Sequence, residues 1–315
     1  MQLSTKIPIQ AGNKPIDYQS DVVLLGSCFA ENMGSKFEYF KFKNFQNPFG
    51  ILFHPLVIER LVVNALDKKE YTSSDIFFHQ DLWHSFDTHS KLSNASPDAL
   101  IQTLNTQLEA TFAQLHKASH IIITLGTAWV YEALASGRYV ANCHKVAQKE
   151  FQKKLLSVLD IETSLQHIIA QIQNINRKAT IIFTISPVRH IKDGFVENTL
   201  SKSHLFTALH AVISRSSNCH YFPSYEIMMD ELRDYRFYSR DMIHPNDLAV
   251  DYIWKRFWEA WISKDVETLM ARVETVQKGL QHKAFQPNSD AYGKFKTHLE
   301  EEQLQLKQIV SHISF

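Results

Sequence analysis

Short runs of branched apolar residues alternate along this chain with longer stretches whose apolar positions recur at helical spacing. Three runs read as buried parallel strands: Asp21-Val-Val-Leu-Leu25, His120-Ile-Ile-Ile-Thr-Leu125 and Thr180-Ile-Ile-Phe-Thr-Ile185. Each is apolar on nearly every position, as a strand covered on both faces must be, and each stops at a turn signal: Gly26, Gly126, or Ser186-Pro187. Residues 150–177 read as helix, because Leu155, Leu156, Leu159, Leu165, Ile168 and Ile169 fall on one face. Residues 97–115 and 201–214 read as further helices, and His220-Tyr221-Phe222 as a fourth strand. After His244, a proline suited to the first helical position opens a helix whose Leu248, Tyr252, Ile253 and Phe257 line one side.

Strand, helix, strand, helix predicts an α/β domain, with right-handed crossovers putting helices on both faces of a parallel sheet. From residue 263 the chain turns to Glu, Gln, Lys and scattered Leu, including an amphipathic stretch at 297–310. The expected organisation is a domain over residues 1–262 and a C-terminal helical extension over 263–315.

Composition narrows the function classes. Apolar residues are 44% of the 315, enough for a large core, and Lys+Arg and Asp+Glu balance at 33 each. A neutral chain has no electrostatic pull toward nucleic acid or an anionic membrane, so neither is expected as a partner. No run is long enough to span a bilayer, and the first residues carry no secretory pattern. Three cysteines, Cys28, Cys143 and Cys219, form no C-x-x-C pair, which points to a reducing, cytoplasmic setting.

Candidate chemistry sits where strands end, since ligands of such folds bind beyond the carboxyl ends of the strands. The first strand runs into Gly26-Ser27-Cys28-Phe29-Ala30. A nucleophile at that junction can point its own N–H at a developing oxyanion, and a helix N-terminus favours a thiolate. The competing reading is a small buried cysteine. Farther on, Asp241-Met-Ile-His244-Pro-Asn places a carboxylate three residues before an imidazole, where it can hold Nδ1 and free the other nitrogen as a base.

These blocks resemble the SGNH/GDSL hydrolase superfamily, in which Gly-Asp-Ser supplies the nucleophile and Asp-x-x-His-Pro the acid and base. Gly26-Ser27-Cys28-Phe29-Ala30 is, more narrowly, similar to the signature of the GSCFA family. The resemblance implies a three-layer α/β/α, flavodoxin-like fold and acyl-ester hydrolysis or acyl transfer. It puts Cys28, His244 and Asp241 in the catalytic set, with a thiol where an esterase carries serine. Ser27 as nucleophile is the variant reading, though its side chain should aim away from His244. The superfamily's loop glycine corresponds to Gly50 in Asn47-Pro-Phe-Gly50. Its Gly-x-Asn-Asp block falls on Gly126-Thr-Ala-Trp129, which lacks the asparagine. The implied oxyanion hole is therefore the Cys28 and Gly50 amides; either it has one donor fewer, or Asn142 supplies the missing amide from a nearby loop.

Ser27, Asn47, His84, His89, Trp129, His144, Lys145 and Arg189 are candidate substrate contacts. Arg189 can clamp an anion or pair with Asp193 or Glu197. His79, His84 and His89 recur every fifth residue, which shares no face of a strand or helix, so no metal is expected. A cysteine-phosphatase loop needs arginine at the sixth residue after the nucleophile, where Gly34, Lys149 and Tyr225 stand instead. No phosphate-binding glycine loop occurs, and no cofactor is implied. The expected partner is a small-molecule or carbohydrate acyl substrate. Two other classes remain at this point: a ligand-binding scaffold without turnover, and a thiol sensor pairing Cys28 with Cys143.

Overall fold

A computed structural model describes residues 5–315. Its strands are β1 Val22–Gly26, β2 Asn44–Gln46, β3 Phe77–His79, β4 Leu82–His84, β5 His120–Leu125, β6 Trp129–Ala133, β7 Arg138–Val140, β8 Phe151–Leu155, β9 Thr180–Ile185 and β10 Cys219–Tyr221. The helices are α1 Cys28–Tyr39, α2 Pro55–Leu66, α3 Pro97–Lys117, α4 Val158–Ile175, α5 Phe195–Ile213, α6 Ser224–Glu226, α7 Asp247–Trp261, α8 Glu267–Gln281 and α9 Asp290–Ile309.

The main sheet is wholly parallel and runs β2-β1-β5-β9-β10. Alternation along each strand builds its two sides. Val23, Leu25, Ile121, Ile123, Ile181 and Phe183 join an apolar cluster with α2, α3, α4 and α5. Their neighbours Val22, Leu24, Ile122 and Ile182 join a second cluster with α1 and α7. The result is the expected three-layer α/β/α arrangement. Met270, Val273 and Val276 of α8 and Leu299 and Leu306 of α9 belong to that second cluster, so the C-terminal helices cover the same face.

Strand order reverses between β1 and β5, which leaves a crevice beyond their carboxyl ends. Two smaller sheets rise near this edge: the hairpin β3–β4 and the antiparallel β7-β6-β8. The second departs from the sequence reading. Residues 151–155 lie in β8, and the helix begins only at Val158, where Ser157 and Asp160 form a reciprocal cap. The helix after His244 also starts later than Pro245: Asp247 is its first residue and Asn246 its cap, with Oδ1 accepting from the Ala249 N–H at 3.0 Å.

Candidate active site

The turn from β1 into α1 is possible only with glycine at position 26. Its φ is +130°, and a Cβ there would lie 2.1 Å from the Thr124 carbonyl oxygen of the neighbouring strand. Ser27 then caps α1, accepting from the Phe29 N–H at 3.3 Å, and is fully buried. That leaves Cys28 as the first helical residue, with no backbone acceptor for its N–H among the described hydrogen bonds. Ser27 is therefore a capping residue, turned away from both nucleophile and substrate roles.

Cys28 lines a cavity of about 400 Å³ together with Phe53, His54, Trp129, Asn142, Cys143, Arg189, His190 and His244. The imidazole of His244 is fixed from behind. Asp241 Oδ2 lies 2.6 Å from Nδ1, while Asp241 Oδ1 accepts from the Ile243 and His244 N–H groups at 2.9 and 3.0 Å. These bonds, the backbone N–H of His244 first, lower the Asp241 carboxyl to about 2. Such a carboxylate holds Nδ1 protonated and leaves Nε2 free, on a residue that lines the cavity.

The thiol differs from expectation. Burial, then the Glu31 carboxylate, push Cys28 above its ordinary value, outweighing the lowering by the Phe29 and Cys28 backbone N–H groups and by Lys202. No hydrogen bond joins Cys28 Sγ to His244 among the described residues. The resting site thus holds a neutral thiol rather than a thiolate–imidazolium pair. Cys28 and Cys143 are both free, and burial pushes Cys143 up to about 11.

Two of the three expected oxyanion donors reach the cavity. Asn142 is on its wall, with Oδ1 held by the His144 N–H at 2.7 Å and no protein acceptor for its Nδ2 among the described residues. Gly50 is the correction. Its N–H donates to the Asn47 carbonyl at 2.8 Å, and at φ +72° it packs against His89, where a Cβ would approach 2.5 Å. Gly50 closes a turn and has no free donor. Asn47 serves the same turn, accepting from the Gly26 N–H at 2.9 Å.

The remaining candidates divide. Trp129 and Arg189 line the cavity, and the Arg189 guanidinium is held on one side, its Nε having no protein partner among the described residues. It donates to the Met242 carbonyl and lies over Tyr235 and Tyr238, 5.3 and 4.5 Å from their ring centres. Asp193 pairs with Lys153 instead. Arg189 therefore ties down the loop that carries Asp241 and His244. His84, His89, His144 and Lys145 do not line the cavity. His84 bridges Ser93 Oγ and the His79 carbonyl at 2.6 and 2.9 Å, and His144 is buried against the Ser85 carbonyl at 2.8 Å. His89 accepts from the Lys91 N–H at 3.3 Å, and Lys145 is exposed. Among the described residues, no three His, Cys, Asp or Glu side chains form a group able to hold a metal ion.

A family model for the GSCFA family matches residues 21–257. The chain belongs to the GSCFA family. No curated protein matches it. Among solved structures, it is similar to an acetyl xylan esterase, Est2A, from the rumen bacterium Butyrivibrio proteoclasticus, at 11% identity and a TM-score of 0.28. That match covers 49% of this chain and 37% of the esterase chain, so the chain spans little more than a third of that protein's length.

Two candidate-site residues of this GSCFA chain, Lys202 and His54, escaped the sequence reading. Lys202 of α5 is buried beneath the cavity, its Nζ donating to the Gly126 and Ser186 carbonyls at 2.7 and 2.8 Å. It thereby ties the ends of β5 and β9 together. Burial lowers it to about 7, with Cys28 acting in the opposite direction. Its signal was legible: Asn198, Ser201, Lys202 and Leu205 share the buried stripe of α5. A lysine on that stripe must find acceptors. His54 and His190 also line the cavity, and burial lowers them to about 4 and about 3. For His190, Lys202 and His244 add to the effect. Both imidazoles are therefore neutral; His190 follows the carboxyl end of β9, which places it near the cleft, whereas nothing in the local sequence marks His54.

Proposed function

We propose that the protein is an acyl-ester hydrolase or acyltransferase with Cys28 as nucleophile, His244 as general base and Asp241 as positioning residue. The observation that carries this reading is the meeting of Cys28 and a carboxylate-oriented His244 on one cavity wall. A neutral thiol needs a base at the moment of attack, and the Nε2 of His244 supplies one. Proton transfer requires closer approach than the resting site displays, as is common before substrate binds.

In the proposed step, Cys28 Sγ bonds to the acyl carbon as its proton passes to His244 Nε2. The tetrahedral oxyanion is held by the Cys28 N–H and the Asn142 side-chain amide. Collapse breaks the ester C–O bond, and His244 returns the proton to the departing alkoxide. Water or an acceptor hydroxyl, deprotonated by His244, then attacks the thioester and releases Cys28.

One observation favours a second reading, a ligand-binding protein without turnover: the thiol is uncharged and makes no direct bond to His244. The two readings separate on exposure to p-nitrophenyl butyrate. The enzyme reading expects a burst of nitrophenol and a mass increase of one butyryl group at Cys28, absent in Cys28→Ala and slowed in His244→Ala. Absence of any covalent adduct, with the ester still bound, selects the binding reading.

A further inference from the structure

Much of the cavity wall is apolar. Phe53, Val130, Val140, Val188, Ile191 and Ile243 face it, and Trp129 covers one side. Of the polar groups inside the rim, only the Arg189 guanidinium keeps a charge that no carboxylate offsets, and it is held by the Met242 carbonyl against Tyr235 and Tyr238. His54 and His190 are neutral imidazoles, and Asp193 is paired with Lys153. The remaining cation, Lys192, is exposed at the rim. A second observation extends the same character outward. Phe195 and Val196, immediately beyond the wall segment 191–193, are 65% and 76% exposed, an unusual placement for large apolar side chains.

We infer that this cavity is an acyl-binding site for an uncharged, apolar acyl group larger than acetyl, either an aliphatic chain or an aromatic ring. The inference rests on the proposed acyl chemistry for its orientation, with the acyl carbonyl at Cys28 and its tail against Trp129, Val140 and Ile191. A volume of about 400 Å³ is far more than acetyl needs, and falls in the range of pockets that enclose whole small ligands. An anionic acyl group, such as a dicarboxylate half-ester, would have to compete for Arg189, whose guanidinium already serves the Met242 carbonyl and two tyrosine rings. A sugar acyl acceptor would leave its hydroxyls facing hydrocarbon, so the acceptor is placed at the mouth. Each methylene buried should strengthen binding about fourfold, which makes the preference steep in chain length.

The test separates the pocket from the chemistry. Binding of acetamide, butyramide and octanamide to the Cys28→Ala protein is followed by tryptophan fluorescence. Hydrolysis of p-nitrophenyl acetate, butyrate and octanoate by the wild type is measured in parallel. Octanamide is expected to bind at least tenfold more tightly than butyramide, and Ile191→Trp, which narrows the cavity, should erase that difference. Trp129→Ala, which widens it, should shift the optimum to longer acyl groups. Equal binding of the three amides, or a preference untouched by both substitutions, overturns the inference whether or not esters are cleaved. Selective amide binding without cleavage of any ester upholds the pocket and removes the enzymatic reading instead.

Discussion

Glu31 and Cys28 sit one helical turn apart at the start of α1, and the carboxylate opposes the thiolate that the helix terminus would otherwise favour. The carboxylate also pairs with Lys91 at 2.9 Å. Burial and Glu31 together outweigh the backbone donors, so iodoacetamide alkylation of Cys28 is expected to rise only above the ordinary thiol range of about 8.5. Glu31→Gln removes a negative charge and should move the alkylation profile to lower pH. A profile unmoved by Glu31→Gln, read by mass spectrometry across pH, sinks this electrostatic assignment.

The imidazole of His244 depends on Asp241 for its tautomer. Asparagine at 241 can still accept from the Ile243 and His244 N–H groups through Oδ1. Its Nδ2, however, would face Nδ1 and reverse the ring's protonation. Under the proposed mechanism, Asp241→Asn should lower kcat by about 10³- to 10⁴-fold with little change in KM, because it spoils the base and leaves the cavity intact. The loop should stay folded well into acid. A depressed carboxyl contributes its stabilisation above its unfolded value of about 3.9 and loses it as pH falls through the folded value of about 2. Kinetics of the variant, with circular dichroism down to that range, check both halves.

Much of this architecture was legible in the chain, for reasons that also explain the gaps. The strands β1, β5 and β9 are buried on both faces and so announce themselves as apolar runs. Strand β2 is three half-buried residues, Asn44-Phe-Gln46, too short and polar to register. Strand β8 was absorbed into α4 because Leu155, Leu156 and Leu159 keep helical spacing across the boundary, although Ser157 with Asp160 marks the true start. At the site, Cys28, Asp241 and His244 follow from local sequence, since two of them are near neighbours and the third opens the helix that follows a strand. Gly50 misled because a loop glycine signals a turn without saying where its N–H points. Lys202 is marked only by its place on the buried stripe of α5, and His54 reaches the cavity through tertiary placement that no local spacing encodes.

Arg189 anchors the His244 loop without entering the chemistry. Its guanidinium holds the Met242 carbonyl, its backbone N–H donates to the Ile243 carbonyl at 3.3 Å, and two tyrosine rings flank it. Arg189→Ala should loosen residues 239–244 while the sheet stays intact. Faster amide exchange confined to that loop, with a lowered kcat that acidic or basic buffer does not restore, is the expected pattern. Uniform exchange across the chain would mean that Arg189 supports the whole fold rather than this loop.

Lys202 gives the sharpest test of stability against pH. In the unfolded chain its ammonium titrates at about 10.4, whereas burial brings it to about 7 in the fold. Between those values the unfolded state binds more protons, so this residue makes stability rise with pH across that window. Below about 7 the ammonium is charged in both states and its burial penalty is fully present. The buried thiols and tyrosines act in the reverse sense at alkaline pH, so the contribution must be read as a difference between two proteins. Lys202→Met abolishes the rise but leaves the Gly126 and Ser186 carbonyls without their partner, at about 1–3 kcal/mol for each unsatisfied group. Urea unfolding of both proteins from pH 6 to pH 10 should therefore show the variant less stable throughout, with a gap that widens toward high pH. A gap that stays constant across that range would mean Lys202 keeps its proton in the fold, held by its two carbonyls more firmly than burial opposes it.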